Sequence, residues 1–311
     1  MSLDVFSTLE HDPDLGEGTI LFGGSGFLGP YILANYPKMI SVGRSPSPTP
    51  NRHIPIQTLA DLSALDGVEF DKVIYIIGNT DHYAMERDVI PAGEPTAFDF
   101  HTIPVIQVLE QLKKRNLKKF IHFSSVLIYD EERITLPVSE HSPINPYKNR
   151  YVMSKYLGEE LCKFYRNWVP IINARFCNLY GPTPLERFDL VHVLTRKLLD
   201  EGRAEIWSDR PARDFIYVED AAHAIAKLLY ADYNDTLVLG SGQMTTVAEV
   251  VDILREVSGM EIVSLDKPVS GPQQFRADIT TLQRVIDWEP RISIREGIRR
   301  TWEFEKARRA A

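Results

Sequence analysis

Cysteine is scarce in this chain: two thiols in 311 residues, Cys162 and Cys177. Two cysteines cannot build a disulfide framework, and neither has a second cysteine or a histidine at metal-ligand spacing, so no structural metal is expected. Long apolar runs are missing as well. No stretch approaches the roughly 20 residues that a membrane-spanning helix needs. The opening segment, MSLDVFSTLEHDPDLGEG, is acidic where a secretory signal would be basic and then apolar. A cytoplasmic location without a membrane partner is the resulting expectation. Positive charge is in deficit, 35 Lys+Arg against 43 Asp+Glu for a net charge of -8, which argues against general nucleic-acid binding. The locally basic run near the end, Arg295, Arg299, Arg300, Arg308 and Arg309, reads as a solvated helix face. There is no internal repeat, and the only biased segment is VGRSPSPTP, residues 42–50.

What is present is an ordinary globular composition, 44% hydrophobic and 25% charged, in a chain long enough for one large core or two modest ones. Short apolar runs bounded by turn residues predict buried strands at 19–24, 39–43, 72–79, 118–125 and 169–176. Between them, residues 102–115 and 150–168 carry apolar positions at helical spacing. Strand and helix in alternation predict an α/β fold, a doubly wound, Rossmann-like parallel sheet covered on both faces. After residue 180 the pattern loosens into a smaller, irregular lobe. The expected division is a dinucleotide-binding domain of residues 1–180 plus about 214–240, and a substrate-binding lobe of 181–213 and 241–311. The first 18 residues read as an additional arm.

The first strand runs into GGSGFLG, which sets Gly23, Gly26 and Gly29 at GxxGxxG spacing. Such a turn lets backbone N–H groups approach a pyrophosphate where any Cβ would stand in the way, and its last glycine lets helix and strand pack closely. Further along, YVMSK places Tyr151 and Lys155 four residues apart, on one face of a helix. A phenol titrates near 10, and a neighbouring ammonium stabilises its phenolate, which makes Tyr151 a candidate acid/base. The strand ending HFSS delivers Ser124 and Ser125 to the sheet's carboxyl edge, where doubly wound proteins hold their ligands.

With these residues in order, the chain resembles the extended short-chain dehydrogenase/reductases that act on nucleotide sugars: epimerases, dehydratases and ketosugar reductases. GGSGFLG, SSVLIY, YVMSK, ARFCNLYGP, RDFIYVEDAAHA and VIDWEPRISIREGIRRT carry the resemblance over nearly the whole chain. The resemblance implies Ser125, Tyr151 and Lys155 as the catalytic set. It implies a cofactor site of Gly23, Gly26, Phe27, Leu28, Gly29, Arg44, Ser45, Asp61, Leu62 and Gly78, with Tyr151, Lys155 and Phe176 at the nicotinamide end. It places Leu127, Asn178, Arg213 and Arg276 against the nucleotide-sugar substrate, arginine suiting phosphate through its planar, always charged fork. A homodimer through the helices at 102–115 and 151–168 is a further expectation, although buried core explains those apolar positions equally.

The chain also departs from the family. Val126 and Leu127 follow Ser125 where dehydratases carry acids and 3,5-epimerising reductases carry a cysteine, so both activities are disfavoured. A 4-ketosugar reductase or a 4-epimerase remains, with a non-catalytic dinucleotide-sensing scaffold as the rival of another class. NAD-preferring relatives end the second strand in an acid, and here Gly43, Arg44 and Ser45 stand instead. An arginine there favours the 2′-phosphate, so the cofactor expectation leans to NADP over NAD, and with it to the reductase. YIIGN and His101 replace the family's usual strand end and helix asparagine, and His101 is a structural histidine or a relay member. Near the end of the chain the expected arginine is displaced, with Lys267 earlier and Arg276 later.

Overall fold

A computed structural model describes residues 16–79, 90–91, 93–269 and 271–310. The arm anticipated at the N-terminus falls, up to residue 15, outside the described residues. In chain order come β1 (Thr19–Phe22), α1 (Gly29–Asn35), β2 (Ile40–Gly43), β3 (His53–Pro55), β4 (Lys72–Tyr75), α2 (Ala97–His101), α3 (Ile103–Leu112), β5 (Lys119–Ser125), α4 (Arg150–Tyr165) and β6 (Ile171–Phe176). There follow β7 (Asn178–Tyr180), α5 (Leu190–Glu201), β8 (Arg203–Ile206), β9 (Ala212–Arg213), β10 (Phe215–Tyr217), α6 (Val218–Leu228) and β11 (Thr236–Leu239). The chain ends through β12 (Thr245–Thr246), α7 (Val247–Ser258), β13 (Glu261–Ser264), α8 (Thr280–Ile286) and α9 (Ile294–Ala310).

The chain separates into two compact units. One consists of Met1–Tyr129, Ile144–Phe176 and Ala222–Leu237, the other of Asp130–Pro143, Cys177–Ala221 and Val238–Ala311. The first is built on a seven-stranded sheet in the order β11-β6-β5-β4-β1-β2-β3. Its pairs from β6 through β3 are parallel, which is the doubly wound α/β architecture. Strand order reverses between β1 and β4, and ligands of such sheets sit beyond the strand carboxyl ends at that switch. β1 is buried along its whole length, as a strand covered on both faces must be. β4 ends at Tyr75, earlier than its apolar run, with the Ile76 N–H still donated to the Phe22 carbonyl oxygen at 3.1 Å. β3 has no sequence counterpart among the expected strands: three residues closing on a proline suit only an edge.

Helix α4 begins at Asn149, whose side chain accepts the Val152 N–H at 2.8 Å. Its buried stripe runs Tyr151, Ser154, Lys155, Gly158, Glu159, Cys162 and Tyr165. The spacing is helical, but half the stripe is polar, so hydrophobic burial alone cannot hold it down. Glu159 is 0% exposed and meets Arg175 of β6 through two hydrogen bonds, 2.9 Å from Nε and 2.7 Å from Nη2. Burial pushes Glu159 upward, yet the Arg175 hydrogen bonds and charge outweigh it and hold the carboxyl below its ordinary value. Arg175 also donates to Tyr129 Oη at 3.1 Å, and its guanidinium carbon stands 5.0 Å from that ring's centroid. Gly158 permits this seating, since a Cβ there would come 3.1 Å from the His101 carbonyl oxygen and 3.2 Å from the His122 ring.

Among the described residues, the sheets of the second unit are two-stranded: β7 with β10 and β8 with β13, parallel, and β9 with β12, antiparallel. Asp220 ties in the segment before α9 by accepting the Arg291 and Ile292 N–H groups, each at 3.0 Å. Gly297 of α9 packs against the rings of Tyr180 and Tyr217, where a Cβ would collide with both. Among the described residues no helix is long and apolar enough to cross a membrane, and no group of three His, Cys, Asp or Glu is placed to hold a metal ion. Both cysteines are buried and free.

Removing one member of a buried pair strands the other charge in a dry site, at about 3–5 kcal/mol. Glu159→Gln is therefore expected to lower the urea midpoint by that equivalent, and a midpoint equal to the parent's would show that the pair does not anchor α4.

Candidate active site

The turn after β1 is too tight for side chains. Gly23 has φ +96°, a conformation that L residues rarely adopt. A Cβ on Gly29 would lie 2.6 Å from the Gly24 Cα and 2.7 Å from the Gly23 carbonyl oxygen. Gly24, which the motif spacing did not single out, is closed in by Ser41 and Leu33, and its signal was the glycine doublet itself. By contrast, a Cβ on Gly26 would meet only the Gly23 oxygen, at 3.2 Å. Leu28, at the N-cap of α1, has no side-chain hydrogen bond to the N–H groups that open this helix. Space above bare backbone, closed by glycines below, fits a dinucleotide pyrophosphate. Leu28 itself is buried, and Phe27 stands edge-on to Tyr31 with centroids 6.5 Å apart.

At the end of β2, a Cβ on Gly43 would meet nothing within 4 Å. Arg44 and Ser45 are exposed, and Arg44 has no hydrogen-bond or ion-pair partner among the described residues. Asp61 accepts the Ser63 N–H at 2.9 Å, and that bond holds its carboxyl below its ordinary value. Leu62 is buried with its N–H given to Gln111 Oε1 at 2.8 Å. Asp61 and Leu62 thus have local engagements, and no described contact joins them to the catalytic helix.

Ser125 ends β5 and caps the single turn that follows, its hydroxyl accepting the Leu127 N–H at 3.2 Å. That bond uses a lone pair and leaves the hydroxyl proton to be donated. Leu127 packs beside Tyr151 in a small apolar cluster with Ala97, Ile128 and Val152. One turn along α4, Lys155 Nζ lies 5.9 Å from the Tyr151 ring centroid and donates to the Phe123 carbonyl oxygen at 3.2 Å. Burial drives the Lys155 ammonium down to about 8, with the Glu159 carboxylate pulling the other way. Phe176 stacks on Phe123 with centroids 4.2 Å apart. A Cβ on Gly78 would come 3.5 Å from Lys155 Nζ. The first unit therefore gathers Tyr151, Lys155, Gly78, Leu127 and the Ser125 turn around the start of α4, with Phe176 reaching Lys155 through Phe123.

Asn178, Arg213 and Arg276 belong to the second unit, where one buried carboxylate organises them. Asp214 accepts from the Ser241 N–H and hydroxyl at 2.7 and 2.8 Å, the Gly242 N–H at 2.9 Å and the Ala277 N–H at 3.1 Å. Its backbone oxygen accepts the Asn178 side-chain amide at 3.0 Å. Arg213 precedes Asp214, and Arg276 precedes Ala277, so both arginines flank points fixed by this group. Arg276 is exposed, while Arg213 is half-buried. Sequence reading passed over Asp214, because a fully buried carboxylate looks the same in sequence as a solvated one.

Residues 19–240 match the NAD dependent epimerase/dehydratase family. Among relatives, a Methanocaldococcus jannaschii protein named "Putative UDP-glucose 4-epimerase" is 29% identical over 307 residues, covering 92% of this chain and 98% of that one. Among solved structures, UDP-glucose 4-epimerase of Thermotoga maritima with UDP-glucose superposes with a TM-score of 0.81 at 23% identity, over 93% of this chain and 99% of that one. A UDP-glucuronic acid 4-epimerase mutant from Bacillus cereus, in complex with UDP-4-deoxy-4-fluoro-glucuronic acid and NAD, gives a TM-score of 0.79 at 21% identity over 93% and 99% of the two chains. With its glycine turn, strand-end serine and Tyr-Lys helix in this order on a doubly wound sheet, the chain belongs to the NAD dependent epimerase/dehydratase family.

Proposed function

We propose that this chain is an NAD(P)-dependent hydride-transfer enzyme acting on a nucleotide-linked sugar, and that it works as a 4-ketosugar reductase with NADP(H). In this reading the first unit binds the dinucleotide and the second holds the substrate. The observation that carries the reductase direction is the end of β2: open space at Gly43, an unpartnered Arg44 and no acid. An acid there would accept from a ribose 2′-hydroxyl and repel a 2′-phosphate, whereas a free guanidinium attracts the phosphate. Exchangeable NADPH suits net reduction, and recycling within one active site suits tightly held NAD.

Bound nicotinamide dinucleotide supplies the hydride. Tyr151 gives its phenolic proton to the sugar oxygen as the carbonyl is reduced, and the Ser125 hydroxyl donates a hydrogen bond to the same oxygen while keeping its proton. The Lys155 ammonium stabilises the phenolate left behind. Val126 and Leu127 present no group that exchanges protons, which disfavours elimination of water. Asn178 meets the nucleotide, and Arg213 and Arg276 meet its phosphates. A homodimer would use the outward faces of α3 and α4, where Ile103, Ile106 and Phe164 are exposed.

The second reading is a 4-epimerase that retains NAD, and the names of the full-length relatives favour it. Purified protein settles the choice: NADPH oxidation with nucleotide 4-ketosugars marks the reductase, while sugar interconversion without net oxidation and co-purifying NAD marks the epimerase. In either case Tyr151→Phe is expected to reduce turnover by about 10²–10⁴-fold, and undiminished turnover would return the scaffold reading to the front. Arg44→Asp is expected to shift preference from NADP towards NAD by about tenfold or more, the size of one charge-assisted hydrogen bond. An unchanged ratio of the two affinities would remove Arg44 from cofactor choice. Lys155 is charged below pH about 8 and neutral above it, so the rate is expected to fall as pH rises through about 8. A rate that stays level to pH about 10 would show that the ammonium is not required.

A further inference from the structure

One buried side chain near the catalytic helix has no part in the mechanism above. His101 ends α2 and is 2% exposed. Its Nδ1 lies 3.0 Å from Ser154 Oγ, and its Nε2 lies 2.9 Å from the Asn79 carbonyl oxygen and 3.2 Å from the Asn79 nitrogen. The next residue joins the same grip, as Thr102 Oγ1 donates to the Ser154 carbonyl oxygen at 3.0 Å. Ser154 is fully buried, and its hydroxyl lies 2.7 Å from the Tyr151 carbonyl oxygen, within donating distance. The imidazole stands edge-on to the Tyr151 ring with centroids 5.3 Å apart. A Cβ on Gly78 would come 3.2 Å from His101 Cδ2, so glycine there lets strand end and ring meet.

A single imidazole therefore spans from the segment after β4 to the first turn of α4. Ser154 is three residues after Tyr151 and one before Lys155, so a displacement at Ser154 displaces both. Either neutral tautomer completes the span, because the Ser154 hydroxyl and the Asn79 peptide can each give or take a hydrogen bond. We propose that His101 is a positioning residue, fixing Tyr151 and Lys155 against the Gly78–Asn79 segment through Ser154 on one side and Asn79 on the other. The inference rests on Tyr151 and Lys155 being the acid/base pair.

A proton relay is the competing role, and two observations count against it. The Nε2 end faces a peptide group, which offers a proton no onward carrier. Among the described residues, the charged and titratable groups around the ring are Lys155 and Tyr151 on α4 and His122 on β5. Burial, then the Lys155 charge and to a smaller extent His122, drive the His101 imidazole down to about 2, against the pull of the Asn79 hydrogen bond. The ring is thus neutral wherever the protein would be assayed.

Three variants separate the two halves of the bridge. His101→Asn keeps an amide near the Nδ1 position and thus the Ser154 half; His101→Gln reaches the Nε2 position and keeps the Asn79 half. His101→Phe fills the space with neither bond. Binding of NADPH and of NADH is read by nucleotide fluorescence, and kcat, KM and the pH profile are read with the sugar that the parent turns over. His101→Phe is expected to weaken binding of the preferred cofactor several-fold and to lower kcat by about 10–100-fold, since a displacement near 1 Å costs that much. Its KM for the sugar should stay within about twofold, its alkaline limb should stay near pH 8, and the Asn and Gln variants should fall between it and the parent. Parental cofactor affinity and kcat in the Phe variant would overturn the inference. So would losses that match only the unfolded fraction in a melting curve, and so would a shifted alkaline limb, which marks a relay. Tyr151→Phe is the control: parental turnover there would sink the acid/base reading itself, whereas an inactive Tyr151→Phe beside unaffected His101 variants would sink the positioning role alone.

Discussion

Beneath the third turn of α4 lies the ion pair of Glu159 and Arg175, and the seating of the first unit's candidate site rests on it. A helix whose inner stripe carries Ser154, Lys155 and Glu159 would not bury itself for hydrophobic reasons. The bidentate contact with β6 fastens the helix to the sheet and gives the Glu159 charge a partner. Once Glu159 is ionised in a dry site, it supports an ammonium at Lys155 one turn away, against the burial that lowers it. The same contact that seats the helix thus keeps its lysine near the useful edge of its titration.

The two units solve a common problem by different means. Each must hold side chains still at the ends of short strands, where the backbone ladder has run out. In the first unit this is done by packing a polar helix face onto β5 and β6, with Gly158 allowing the approach and His101 and Thr102 gripping Ser154. In the second unit the strands that carry these residues are two or three residues long and supply little rigidity through ladders. There Asp214 gathers N–H groups from two separate segments onto one carboxylate, and Asp220 does the same for the approach to α9. Backbone N–H groups bond both carboxylates, joined by the Ser241 hydroxyl at Asp214 and by the charges of Arg291 and Arg300 near Asp220, although burial still raises both above their ordinary values.

Strands β1, β2, β5 and β6 were legible because parallel strands covered on both faces must be continuous apolar runs, and few other structures produce them. Gly23 and Gly29 of the β1 turn were legible because a positive φ at one and close backbone contact at the other exclude a side chain. β3 was not legible, since three residues with a proline carry no periodicity. The early end of β4 was hidden for the opposite reason: Ile76 and Ile77 continue the apolar run past Tyr75. The partners of Asp61 and Leu62, the Ser63 N–H and the Gln111 side chain, were not legible either, since no periodicity announces a turn or a side chain 49 residues away.

Sequence alone determined the residue types and their local spacing: a glycine turn after a strand, a serine at a strand end, a tyrosine and lysine one helical turn apart, and an arginine where an acid might stand. Local chemistry and steric fit fix such features within a few residues of chain. Only the tertiary structure decided which polar groups became buried partners. Arg175 meets Glu159 across 16 residues, His101 meets Ser154 across 53, and Ala277 meets Asp214 across 63. Their worth comes from exclusion of water, a property of the packed interior that no stretch of sequence possesses by itself.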